Sequence, residues 1–274
     1  MKTKIFQICF EKNQLNEVNS LFTPFDNTSN ERPELREYHS FKRILNEGHT
    51  DDVDMWGVFG PRWNEKLKYS SKDIFEFIDN NPGHDVYIFN HARIVNAFTY
   101  NVWEQGEHWH PGIKEVSKYV LEKTFQRGDA IDVLMTDQTT CYCSYFVATK
   151  KFWINYINFL DTIKQELDNL PSELDKLYRG SANYGRDLTL NLFPFIIERM
   201  FSTYLIVSTK WKTCRKPYDY SVYESQVGDF YKVFDSVNFY KSIGPKFDSP
   251  ELLQAWNNLR LHLVRNSPGL LSLD

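Results

Sequence analysis

A chain of 274 residues, 42% apolar and 25% charged, is long enough to bury a sizeable core, and its few glycines and prolines exclude a low-complexity chain. A net charge of -4 excludes a domain-wide basic field, so no nucleic-acid partner is expected. No window approaches the ~20 apolar residues of a membrane span, and the opening MKTKIFQICFEKNQ has too short an apolar run for a signal peptide, so a cytoplasmic protein is expected.

In chain order, KIFQICF (4–10) reads as a first strand of the kind that opens an α/β sheet. Pro, Asn and Asp mark the following LFTPFDNTSNER as loop, with a helical segment from about Pro33. DMWGVFG (54–60) is a second strand, in which Gly57 and Gly60 let the backbone come close to something flat. SSKDIFEFIDNNPGHDVYIFN predicts a Ser-capped helix, an Asn-Asn-Pro-Gly break and a strand over 85–90. NVWEQGEHWHPG (101–112) reads as a surface turn ahead of a helix over 113–126, and AIDVLMTD (130–137) as a further strand. YCSYFVATKKFWINYINFLDTIKQEL predicts a strand running into a long amphipathic helix. A buried helix over 195–207 opens near Pro194, and a last helix is capped by Ser249 with Pro250 behind it. Alternating strands and helices up to residue 150, then mainly helix, predict a mixed α/β sheet with a helical C-terminal part.

The four cysteines, Cys9, Cys141, Cys143 and Cys214, have no zinc spacing and read as small buried hydrophobes. The buried helix carries Glu198 and Arg199 inside its apolar run. Glu198 and Ser202 lie four apart and look toward one cleft, where an apolar wall is expected to raise the Glu198 pKa into the range of a general base. The competing reading pairs Glu198 with Arg199 as a packing device. Glu107, His108 and His110 form the other dense polar cluster; it lacks the HExxH spacing and reads as a set of acceptor contacts. The aromatic share of 16% offers flat faces suited to sugar rings and bases.

Three segments in order, DMWGVFGPRW, SYFVATKKFWINYINFLDTIKQEL and FPFIIERMFSTYL, resemble bacterial capsule, lipopolysaccharide and O-antigen glycosyltransferases of the GT-A type, and NPGHDVYIFN is similar to a strand of related sugar transferases. The resemblance implies a GT-A-like, Rossmann-related mixed sheet flanked by helices. It implies a single domain, with a nucleotide-sugar-binding part over 1–150 and a helical acceptor or closing part over 151–274. It implies transfer of a sugar from a UDP- or GDP-linked donor to a glycan or lipid-linked acceptor. The alternative is an inactive carbohydrate-binding protein of the same fold.

Under that reading Glu198 and Asp137 are the catalytic candidates, and Gln7, Trp56, Gly57, Arg62, Asn90, His91 and Arg93, at strand ends, bind the donor. Glu107, His108, His110 and Arg199 face the acceptor. Such enzymes commonly hold Mn2+ or Mg2+ on an Asp-x-Asp signature, but the literal match, Asp52-Val53-Asp54, lies before its strand, and Asn90-His91-Ala92 stands in the expected place. The metal is therefore left open, with Asp137 a second candidate ligand. Arg260, His262 and Arg265 beside the leucine and tryptophan stripe of the last helix leave peripheral membrane contact as a further alternative.

Overall fold

The computed structural model describes residues 1–90, 92–180, 191–218 and 230–266. A six-stranded mixed sheet runs in the order β2-β1-β3-β5-β4-β6. Its strands are β1 (Thr3–Cys9), β2 (Thr23–Asp26), β3 (Met55–Phe59), β4 (Val86–Ile88), β5 (Phe146–Thr149) and β6 (Thr213–Arg215). All pairings are parallel except those of β5, which runs antiparallel to β3 and β4 on either side. The expectation of a mixed sheet flanked by helices holds, and β6 draws the sheet past residue 150.

β1 and β3 read as almost continuous apolar runs because helices cover both faces of the sheet, so successive residues enter different cores. Phe6, Ile8, Trp56, Val58, Val86, Ile88 and Phe146 point to the face covered by α1 (Arg36–Asn46), α6 (Ile113–Phe125), α7 (Lys150–Leu167) and α9 (Phe193–Val207). Ile5, Met55, Phe59, Tyr87, Phe89 and Val147 point to the other, under α2 (Trp63–Leu67) and α3 (Ser71–Asn80). The chain also forms α4 (Arg93–Phe98), α5 (Val102–Trp109), α8 (Ser172–Arg179), α10 (Phe230–Lys246) and α11 (Pro250–Asn266). A third, smaller core joins α4 to α10 and α11 through Phe98, Phe234, Val237 and Trp256.

Local chemistry sets several boundaries as the sequence predicts. Ser70 and Asp73 close a capping box on α3, Thr149 accepts from the Phe152 N–H at the start of α7, and Pro194 sits in the first turn of α9. Ser249 accepts from the Leu252 N–H at the start of α11. That helix docks on the protein's own core: Trp256 is buried and Arg260 donates to the Phe98 carbonyl and pairs with Glu104. No helix among the described residues is long and apolar enough to cross a membrane.

Three expectations are corrected. Thr23–Asp26, read as loop, pairs with β1 as an edge strand, the position in a sheet where Pro24 is tolerated. Residues 130–137 are not a strand: Gly128–Asp132 forms a 3-10 turn, and Asn101 Nδ2 donates to the carbonyls of Ile131 and Val133, taking the acceptors a neighbouring strand would use. Residues 101–112 are not a turn, because the Asn101 side chain accepts from the N–H groups of Trp103 and Glu104 and caps α5.

Candidate active site

Parallel strands bring their carboxyl ends to one rim of the sheet, and antiparallel β5 brings its amino end there. At the β1–β3–β5 part of this rim lies a cavity of about 240 Å³. Phe10 follows β1, Gly60 to Arg62 follow β3, Lys66 comes from α2 and Cys143 to Tyr145 lead into β5. α1 contributes Arg36 and Glu37 at its start, and α9 closes the far side with Pro194, Phe195, Ile197 and Glu198. The placement follows the rule that ligands of open α/β sheets gather at the strands' carboxyl ends.

Glu198 is the hinge of this arrangement. Its Oε1 accepts from the Cys143 N–H at 3.0 Å, and one turn along α9 the Ser202 hydroxyl accepts from the Cys141 N–H at 2.9 Å. The two side chains four residues apart, expected to share a cleft, instead grip the 141–144 turn together. That turn needs gripping: Cys143 and Ser144 both adopt left-handed backbone, with φ of 58° and 54°. Glu198 keeps 33% of its side-chain surface open, on the cavity side. Its pKa is lowered, not raised as expected. Burial pushes it up, but Arg199, the Cys143 thiol, Lys66 and the Cys143 N–H together outweigh that push.

Cations and a second carboxylate complete the walls. Lys66 Nζ donates to Cys143 Sγ at 2.8 Å. Burial lowers the pKa of Lys66, but the Cys143 sulfur and Glu198 more than reverse this, so it stays an ammonium. Cys143 itself stays a thiol, since burial and the Glu198 charge push it far up. Arg62 is exposed at the rim. Arg36 has a φ of 47°, an uncommon backbone for a non-glycine residue, at the point where α1 begins. Beside it Glu37, exposed at the cavity's edge, lines the wall opposite Glu198.

Several sequence candidates lie elsewhere, each for a visible reason. Arg199 is a structural pin, not an acceptor contact: it donates to the carbonyls of Val102 and Phe195 and to Gln105 Oε1. Gly106 exists to admit it, since a Cβ there would lie 2.4 Å from Arg199 Nε. Trp56 stacks on Trp153 at 4.0 Å and is fully buried, which leaves no face for a ligand ring. A Cβ on Gly57 would meet the Phe146 carbonyl at 2.6 Å, so its close approach is to β5. Gln7 accepts from Trp63 Nε1, and Glu107 accepts from the N–H groups of Gly112 and Lys114, acting as a cap for α6.

His108 is exposed against Trp109, on the outer side of α5. His110 stacks on Phe195 at 3.6 Å behind the cavity wall, and burial, with help from Arg199, lowers its pKa to about 4. His91 lies outside the described residues.

Asn90, Arg93 and Asp137 meet at the other part of the rim, past β4 and β6, in a cluster held largely by protein partners, with Arg215 Nε and Nη1 and Asn238 Oδ1 unpartnered among the described residues. Asp137 accepts from Asn96 and Asn238 and lies 3.4 Å from Arg215. Arg93 pairs with Asp235 and lies over the Tyr218 ring, and Asn90 donates to the Tyr218 hydroxyl at 3.0 Å. Both Asp137 oxygens are engaged by protein partners, so this carboxylate reads as structural where a catalytic role was expected.

The described residues bring no three His, Cys, Asp or Glu side chains together in a metal-binding group. Asp52 pairs with Lys2 and Lys4, and Asp54 accepts from the Lys2 N–H, at the amino ends of β1 and β3, the opposite rim of the sheet. The cavity holds two carboxylates, Glu37 and Glu198, beside three cations.

Of the cavity residues, sequence reasoning found Arg62 and Glu198 and missed Arg36, Glu37, Lys66 and Cys143 to Tyr145. Charged residues at a helix start read as solvated, and no local signal marks a turn whose strain depends on contacts with α9.

No family model matches the chain, and no curated protein sequence matches it. Among solved structures, the apo structure of WbbM, a bifunctional glycosyltransferase, is similar at 15% identity and a TM-score of 0.48, over 78% of this chain. The match takes in 44% of that protein, so the chain spans less than half the length of the structure it resembles.

Proposed function

We propose that the protein is a glycosyltransferase that moves a sugar from a nucleotide-diphosphate donor, UDP- or GDP-linked, to a glycan or lipid-linked acceptor. The observation that carries this reading is the cavity at the carboxyl ends of β1 and β3, where Glu37 and Glu198 face Arg36, Arg62 and Lys66. Sugar transfer needs counter-charge for a departing diphosphate and a carboxylate near the acceptor hydroxyl, in a site that keeps bulk water at a distance. The ordered segments that resemble bacterial polysaccharide glycosyltransferases add to it, since two of them supply Arg62 and Glu198.

In this reading Arg62 and Lys66 neutralise the diphosphate as its bond to the sugar breaks, a task suited to cations fixed before the reaction begins. Glu198, ionised at neutral pH, holds the 141–144 turn with Oε1 and so fixes the wall against which the acceptor lies. Titrating UDP- and GDP-sugars by thermal shift, with release of the free nucleotide as the second readout, tests the proposal. Binding together with nucleotide release supports it; binding without release supports a carbohydrate-binding protein that does not catalyse transfer; neither overturns it.

A further inference from the structure

Two carboxylates face the cavity, and their surroundings give them different work. Glu198 is committed: one oxygen is bound by the Cys143 N–H, Arg199 lies 3.8 Å from the other, and the turn it holds is strained. Glu37 lines the same cavity from the first turn of α1, where its own backbone N–H is its hydrogen-bond partner and no other described residue bonds it. It is exposed, so it stands where the cavity opens. A first-turn carboxylate also complements the helix dipole, a role that a bound ligand need not disturb, whereas both oxygens of Glu198 have protein neighbours.

We propose that Glu37 is the general base of the transfer, with Glu198 a positioning residue; the inference rests on the glycosyltransferase reading above. The acceptor hydroxyl oxygen forms a bond to the sugar's anomeric carbon as the bond from that carbon to the diphosphate oxygen breaks. The electron pair of the broken bond leaves with the diphosphate, between Arg62 and Lys66, and the hydroxyl proton passes to a Glu37 carboxylate oxygen. The groups around Glu37 suit it to that proton: Glu198 on α9 opposes its ionisation, while Arg36 beside it and Lys66 on α2 favour it. Arg62 and the Cys143 thiol complete the charged and titratable lining, with Tyr145 above them.

The test uses the whole chain and a UDP- and GDP-sugar panel with water as the acceptor, following nucleotide release against pH and donor binding by thermal shift. Glu37→Gln is expected to lower kcat by about 100-fold or more, to leave donor binding within about twofold, and to abolish the acidic limb of the pH profile. Added formate is expected to restore part of the rate to Glu37→Ala. Glu198→Gln is expected to raise KM with a smaller loss in kcat. A Glu37→Gln protein that keeps its rate and its acidic limb, while Glu198→Gln loses both, overturns the assignment and leaves the glycosyltransferase reading standing. A wild-type chain that neither binds nor cleaves any donor overturns the reading, and this assignment with it.

Discussion

The two polar clusters on the rim of the sheet contain similar residues and differ in how they are closed. Past β4 and β6, Asp137, Arg215, Asn96 and Asn238 answer one another, and Lys241, buried nearby, donates to the carbonyls of Asn96 and Thr99 and to Asn96 Oδ1. This cluster fastens α10 to α4, so its charges are spent on holding the C-terminal helices. At β1 and β3 the charges face a cavity, and Glu37 and Arg62 project into it with no partner from any other described residue. The first cluster, tied to α4 and α10, reads chiefly as structure, and the second, where Glu37 and Arg62 stay exposed at a cavity, as a place open to something charged.

Four measurements can break or sharpen that contrast. The largest effect belongs to the closed cluster: Asp137→Ala leaves Arg215 buried without its carboxylate and is expected to cost about 3–5 kcal/mol in urea unfolding. A loss of less than about 1 kcal/mol would mean the cluster is not structural. Next comes the cavity's back wall. The pKa of His110 is about 4 in the folded chain and 6.5 when unfolded, so the unfolded state takes the proton first and stability falls as pH drops from 6.5 to 4. The full shift is worth about 3 kcal/mol. His110→Phe, which keeps the stack on Phe195, is expected to remove that share of the acid sensitivity, read from melting curves of both proteins across the window.

At the open cluster the expectation inverts. Arg62→Ala should leave stability within about 0.5 kcal/mol, because the side chain holds nothing, while weakening donor binding about tenfold, ~1.4 kcal/mol, by calorimetry. Equal loss in stability and binding would move Arg62 into the structural class. The smallest expected effect is that of a chelator. If Arg36, Arg62 and Lys66 carry the diphosphate, EDTA is expected to change nucleotide release by less than about twofold, ~0.4 kcal/mol, and an abolished rate restored by Mn2+ would show that a metal shares that work.

Much of the fold was legible in the chain because local chemistry decides it. The apolar runs KIFQIC and MWGVF become strands buried on both faces, and Ser70, Thr149, Pro194 and Ser249 begin their helices where the sequence places them. β2 was hidden by Pro24 and the polar residues around it, since an edge strand is marked only by the neighbour it pairs with. The 130–137 segment misled in the opposite sense: its apolar pattern suits a strand, and a single side chain, Asn101, takes the carbonyls that a strand would need.

By itself the sequence determined the alternation of elements, the buried character of α9 and the presence of a Glu-Arg pair within it, because periodicity and caps act over a few residues. Only the tertiary structure decided what that pair does. Arg199 turns back to pin α9 on α5 through the space that Gly106 leaves, while Glu198 turns out to hold a strained turn 55 residues away. It also set Glu37 and Lys66 opposite that turn, from parts of the chain with no local mark of a site. Whether a charge is paired or left facing a cavity depends on what distant segments bring within hydrogen-bond reach, and spacing along the chain does not carry that information.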